Sequence, residues 1–531
     1  MKLILSLLLI TSLNSFGQSS LIEWQNTIGA NKDEQLKHFS KTAEAGYLLA
    51  GQTSANISGD KTEDSYGLLD YWLVILNADG EVAQDITYGG NSFDELSSAC
   101  QATDGAYYML GYSQSDMSPL KTEDRIGFRD YWLVKVNGFG ELIWENTIGG
   151  TDDEWSTDMK PTDDGGCIIG GYSRSNASDD KSEDSFGGSY DYWVVKLDAD
   201  GEIEWENTIG GNGDDYLQSI VVDSDGGYLL GGSSNSNISG DKTEDAFMES
   251  SDYWLVKIDA LGAIEWDNTI GGASSDKLYA AIQTTDGGYI AGGESWSNTS
   301  GDKTEDAIGA LATDYWVIKI NEDGETEWDK TLGGTDFETL TCLLETADGD
   351  IVLGGESNSN ISGNKTSNSF GEFDYWIIKL TATGTVVWDE SFGGSKHDRL
   401  ISMLEWEAGE LALGGQSNSG ITGDKTEDVL GGDDAAARDF WVLQLKPITT
   451  SVEEYSNTSN IRIYPNPTND ILHIESKEST IIEVHSLTGE LLIQSNNQST
   501  INLNDLTQGT YILTVFDNNH VTIDKKRIVK L

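Results

Sequence analysis

Basic residues are scarce in this chain. Lys and Arg total 32 against 90 Asp and Glu, a formal net charge of −58 over 531 residues. Nucleic acid is bound by clustered cations, so this composition argues against it, and against an anionic membrane surface for the same reason. The surplus acid reads first as solubility through self-repulsion. Cysteine is scarce too: Cys100, Cys167 and Cys342 are an odd number, scattered over three repeats, and make no disulfide framework. Cys167 stands where other repeats carry Tyr and reads as a small buried apolar residue. Five histidines (His38, His397, His473, His485, His520) share no spacing that suggests zinc or a catalytic dyad. Proline numbers only 5 while glycine numbers 60. The glycines recur at fixed places, which marks turn-rich β structure and not a disordered low-complexity chain. No segment approaches the roughly 18 apolar residues of a membrane span, so no membrane insertion is expected of the mature chain.

What the chain has instead is a repeat. Asp-Tyr-Trp followed by an apolar run appears at Asp70, Asp130, Asp191, Asp252, Asp314 and Asp374, with a last copy, Asp439-Phe440-Trp441, carrying Phe for Tyr. Successive Trp residues lie 60, 61, 61, 62, 60 and 65 apart. A near-constant period means copies of one supersecondary unit. Each unit holds four strand-like segments, as in Glu204–Gly211, Tyr216–Val222, Tyr228–Gly232 and Asp252–Ile258. Asp225-Gly226 and Asp200-Gly201 mark tight turns, where Gly takes the positive φ that other residues avoid. Segments two, three and four and the next unit's segment one therefore form one antiparallel meander. The array opens with a spare segment one (Ile22–Ile28) and ends with a segment four (Trp441–Leu445) that lacks its neighbour. Pairing the two removes both open edges. The expected fold is all-β: a seven-bladed β-propeller over residues 18–446, closed by its N-terminal strand, with the repeated Trp residues packing blade on blade.

At the start, Lys2 precedes a short apolar run that ends in small and polar residues near Gly17. This reads as a signal peptide over residues 1–17, with no following Cys for a lipid anchor. After a polar linker (447–460) comes Tyr464-Pro465-Asn466-Pro467, then Thr488-Gly489-Glu490, Gly509-Thr510-Tyr511 and the basic end Lys525-Lys526-Arg527 to Lys530. Residues 461–531 resemble the type A sorting domain of the Bacteroidetes type IX secretion system. The resemblance implies a small C-terminal β-sandwich read by the secretion machinery, which is the expected partner, and a location outside the cell or on its surface. The repeats themselves resemble secreted bacterial β-propeller repeats, and more distantly kelch and WD repeats, without the Gly-His…Trp-Asp signature of the latter. A monomer is expected.

Chemistry is harder to place. One carboxylate recurs in every unit, four residues after the Gly-Gly (Gly-Ala in the first): Glu34, Asp94, Glu154, Asp215, Asp276, Glu338 and Asp398. With the Gly-Asp-Lys-Thr-Glu-Asp loops they suggest an acidic face and two uses: bracing loops by accepting backbone N–H bonds, or holding Ca²⁺ as a cofactor. The loops lack the EF-hand order, and their Lys opposes a cation. Trp155 and Trp296 stand outside the repeat on the same face and suggest stacking platforms for a sugar. Trp406 also stands outside it, near the opposite turns. No nucleophile–base arrangement or phosphate loop is present. Two functions are expected: a secreted or surface-attached binding or adhesion module for glycan or protein, or, alternatively, a polysaccharide-degrading enzyme (endoglucanase-like glycoside hydrolase or lyase) using a carboxylate pair. Seven near-equivalent units weigh against the second, since catalysis needs a break in symmetry.

Overall fold

The computed structural model describes residues 20–447 apart from 188, 310, 408 and 432–435. Beyond these it describes 462–464, 468, 470–475, 481–486, 491–496, 498–504, 506–507, 509–516 and 522–530. The expected signal peptide, most of the linker, Pro465-Asn466-Pro467 and Thr488-Gly489-Glu490 lie outside the described residues. The chain divides into two compact units, Met1–Pro447 and Ile448–Leu531.

The first unit is propeller-like, built of repeated four-stranded antiparallel sheets. In the first sheet the lead strand Gln35–Lys41 is followed by Tyr47–Thr53, Asp70–Leu76 and Val82–Tyr88, in that spatial order. Six sheets follow this order, each closing with the segment one expected of the next unit, which bears Trp in all but the first sheet. In the remaining sheet Asp398–Glu405, Leu411–Ser417 and Asp439–Pro447 are joined by Ser20–Ile28, with Trp24 opposite Gln444 and Ile28 opposite Phe440. The last strand runs one residue past the expected end at 446. The Asp-Gly turns form as expected, with Gly201 at φ +88° and Gly226 at φ +91°.

The Asp-Tyr-Trp strand is the apolar spine of each sheet, buried on both faces. Its Trp packs against the Tyr of the preceding sheet, with ring centroids 4.9–5.1 Å apart. The same Tyr hydroxyl donates to the backbone carbonyl of that Trp: Tyr71 to Trp132, Tyr131 to Trp193, Tyr192 to Trp254, Tyr253 to Trp316, Tyr315 to Trp376 and Tyr375 to Trp441, at 3.0–3.2 Å. Phe440 stacks on Trp72 at 5.1 Å and has no hydroxyl to give. Cys167 is fully buried and unpaired, as its place in the repeat implied.

The second unit holds a three-stranded and a four-stranded sheet. Leu472, Ile474 and Ile501 from one and Ile482, Val484, Leu513, Val515 and Ile528 from the other share a single buried cluster. The alternating burial along Ile481–His485 is that of a strand with one face on a core.

Candidate ligand site on the lead strands

The seven repeated carboxylates occupy equivalent places at the start of the lead strands, one per sheet, all fully shielded from solvent. Each accepts the backbone N–H four residues upstream, from Ala30 N to Glu34 through Gly394 N to Asp398, at 2.6–3.1 Å. Each also accepts a hydroxyl from the adjoining strand or loop, such as Thr53 Oγ1 to Glu34 Oε1 at 2.8 Å, Ser175 Oγ to Glu154 Oε1 at 2.6 Å, or Ser419 Oγ to Asp398 Oδ2 at 3.0 Å. The Gly-Asp-Lys-Thr-Glu-Asp loops are equally committed. In the first, Asp60 takes Gly29 N, Lys61 gives to Thr87 Oγ1, Glu63 takes Thr87 N and Asp64 takes Ile57 N. Among the described residues no group of three or more His, Cys, Asp or Glu is arranged around a common point for a metal ion. These oxygens brace the loops by accepting backbone N–H and hydroxyl hydrogens.

The carboxylates also come in pairs across neighbouring sheets, each beside the Asp of an Asp-Tyr-Trp. Glu34 and Asp439 are in contact, and burial raises both. Burial, with repulsion from the partner carboxyl, lifts Asp191 to about 7 beside Asp215 and Asp374 to about 7 beside Asp398. Asp191 Oδ1 and Asp215 Oδ1 both lack a donor, as do Asp374 Oδ1 and Asp398 Oδ1. A proton held between the two acids satisfies such a pair.

What does not repeat gathers one residue further along. Every lead strand carries a β-bulge two residues later, where the register skips: between Leu36 and His38, Leu278 and Ala280, Leu340 and Cys342, Leu400 and Ser402, and likewise in the others. A bulge leaves one residue out of the ladder and re-aims its side chain. The seven bulged residues are Lys37, Ser97, Thr157, Gln218, Tyr279, Thr341 and Ile401, and the residue before each is Leu in every sheet but one, which has Ser156. Ser97, Thr157 and Thr341 share a hydroxyl that donates to the carbonyl of Leu110, Gly170 or Gly354 on the paired strand. Four of them (Lys37, Tyr279, Thr341 and Ile401) line a cavity of about 260 Å³, together with Gln35, Leu36, Arg399, Gln416 and Arg438. Its walls thus come from four sheets.

The charged side chains on those walls are all cationic. Arg438 is held by Asp33, with Nη2 2.6 Å from Oδ2. Arg399 Nε is shielded and has no hydrogen-bond acceptor; its carboxylate neighbour, Glu356 Oε1, is 3.9 Å away. The Lys37 side chain is open to solvent, yet the protein crowded around the mouth, and then the nearby Arg399 and Arg438, hold its ammonium below its usual range against the pull of Glu95. Gln416 Oε1 is shielded and unpaired.

Both tryptophans singled out from the sequence lie at this end of the sheets, on different ones. Trp155 follows Glu154 and sits inside an aromatic cluster. Arg129 lies 4.3 Å from its ring centroid, Tyr112 meets its edge at 4.7 Å and Tyr172 lies nearly parallel at 6.3 Å. Its faces are therefore occupied. Trp296 is 41% exposed and meets the Phe337 ring edge-on at 5.8 Å. Trp406, at the far turns, stacks on Tyr47 at 4.4 Å under Lys41. The cavity residues were missed in the sequence. Their signal was there, in the residues that change from unit to unit beside a carboxylate that does not.

Comparison with known proteins addresses the second unit most directly. Residues 462–530 match the family of the secretion system C-terminal sorting domain. The chain is 21% identical over 430 residues to regulatory protein FlaEY of Caulobacter vibrioides, across 73% of this chain and 42% of that protein, so it spans about two-fifths of that relative's length. Among solved structures it is similar to a protein of unknown function from Dyadobacter fermentans (11% identity, 81% of this chain, 99% of that one, TM-score 0.39). It is also similar to PorZ, a surface component of the type IX secretion system of Porphyromonas gingivalis (11% identity, 94% and 70%, TM-score 0.29). Scores this low carry no argument about function. Residues 462–530 are a type IX sorting domain, and the chain is a substrate of that secretion system, a secreted or cell-surface protein.

Proposed function

We propose that the exported part of this chain is a binding module. In this reading it is a seven-bladed β-propeller, closed by its N-terminal strand and preceded by a cleaved signal peptide over residues 1–17, that takes a glycan or protein ligand at the mouth formed by its lead strands. Closure is supported by the pairing of Ser20–Ile28 with Asp439–Pro447. It is supported equally by the contact of each lead strand with the next, including the first with the last. One observation carries the binding role: four bulged side chains from four sheets, Lys37, Tyr279, Thr341 and Ile401, meet in one cavity and differ in charge, size and polarity. A pocket with an apolar wall and a few convergent polar groups is the form a ligand site takes. Trp296, exposed at the same end, is the rim contact in this reading.

A glycan array probed with the mature protein, beside an activity screen on plant and algal polysaccharides, tests it. Retention without product release is expected, and Trp296→Ala should weaken retention while leaving the melting temperature unchanged. Release of oligosaccharides by purified protein would replace the binding module with an enzyme.

A further inference from the structure

We propose that the cavity between the first, fifth, sixth and seventh sheets takes a sugar acid: one uronate unit, its carboxylate on Lys37 and Arg399 and its hydroxyls on Gln416. The inference rests on the binding reading above and names the class of ligand.

The size comes first. About 260 Å³ lies below the roughly 300–1,000 Å³ of sites for drug-sized ligands, so the cavity holds one small group and not an extended chain. Charge comes next. In a molecule of net charge −58, like cations converging on one open pocket repel each other at a cost. Lys37, Arg399 and Arg438 do so here, with no carboxylate on the walls. Arg438 is satisfied by its two-pronged contact with Asp33, but no ion pair of Lys37 is present among the described residues, and Arg399 has only the long contact of its Nε with Glu356 Oε1 at 3.9 Å, with no hydrogen-bond acceptor on that atom. An anionic oxygen between Lys37 and Arg399 would supply the acceptor that the shielded Arg399 Nε lacks. Bulk chloride answers the charge but not the rest of the lining. Gln416 Oε1 is a shielded acceptor that lacks a donor, which an anion alone cannot supply and a hydroxyl can. Leu36 and Ile401 give the cavity its apolar wall, suited to the C–H face of a sugar ring. A carboxylate, hydroxyls and an apolar face on one small ring are the features of a uronate.

Titration calorimetry on the mature protein tests this with D-galacturonate, neutral D-galactose, inorganic sulfate and trigalacturonate. Galacturonate is expected to bind and galactose not. Lys37→Gln and Arg399→Gln should each weaken galacturonate by about tenfold or more, the order of a lost charge-assisted hydrogen bond. Lys37 is solvent-accessible, so its variant should keep the wild-type melting temperature and carry the test if Arg399→Gln folds poorly. Tighter binding of trigalacturonate than of the monomer identifies a polysaccharide end as the source; equal binding identifies the free acid. Galacturonate binding no better than galactose, sulfate binding as well as galacturonate, or a Lys37→Gln variant of unchanged affinity would overturn the assignment. If neutral glycans are retained on the array while galacturonate fails here, the sugar-acid inference falls and the binding module stands; if neither binds, the sugar-acid inference and the glycan form of the binding module both fall.

Discussion

Phe440 is the one place where the repeated Tyr loses its hydroxyl, and it is also where the last Asp-Tyr-Trp strand meets the first sheet. At the six other contacts the hydroxyl reaches the Trp carbonyl past a glycine, Gly111 in the case of Tyr71. Gly51 stands in the same place beside Phe440, so the space for an oxygen exists. Phe440→Tyr is expected to add one buried hydrogen bond to Trp72, worth about 1 kcal/mol, read as a higher urea midpoint at unchanged slope. The paired carboxyls make a second prediction. Asp191, Asp252, Asp314 and Asp374 are raised by burial to about 7, and Asp70 and Asp130 to about 6. An unfolded carboxyl releases its proton near pH 4. Between that value and the raised one the folded state holds protons that the unfolded chain has lost, so stability falls as pH rises. Melting temperature should therefore decline from about pH 5 to pH 8. Asp374→Asn should flatten that slope, because an amide can give Asp398 the hydrogen that the acid otherwise supplies. A melting temperature that rises over this range would contradict the proton-sharing pairs.

At the scale of elements, the loops and lead strands divide structural from variable chemistry. Every acidic oxygen traced in the first Gly-Asp-Lys-Thr-Glu-Asp loop already has a donor within its own sheet or the next, so EDTA should leave the melting temperature where it was. A clear drop would mean that a cation holds the loops. The strands and their order were legible from sequence, because the apolar run after Asp-Tyr-Trp and the glycine that each tight turn requires are local signals. The meaning of the acidic residues was less so: the sequence shows seven carboxylates in register but not that a backbone N–H and a hydroxyl face each. The cavity was hidden for a further reason. A bulge is a backbone event, and nothing in Leu36-Lys37-His38 announces that Lys37 leaves the ladder. Trp155 illustrates the converse. It is conspicuous in the sequence, yet Arg129 and Tyr172 cover it, while the unremarkable Thr341 and Gln416 line the space.

For the whole molecule, the two units have separate tasks and separate cores. Removing residues 462–531 should abolish export while leaving the melting transition of the first unit unchanged, since among the described residues each unit has buried clusters of its own. Removing residues 20–28 should do the opposite kind of damage. It uncovers the hydrogen-bonding edge of Asp439–Pro447, and bare edges pair with other chains, so the truncated protein should aggregate, as seen by light scattering.

The antiparallel pairing of Ser20–Ile28 with Asp439–Pro447 also sets how the first unit responds to force. Ser20 lies opposite Pro447, so the chain enters and leaves the sheet on the same side. A pull on those two residues loads a single rung at a time, and the seam peels like a zip instead of resisting in shear. A molecule exposed to flow or traction outside the cell would thus give way first at that seam, with the other six sheets still folded.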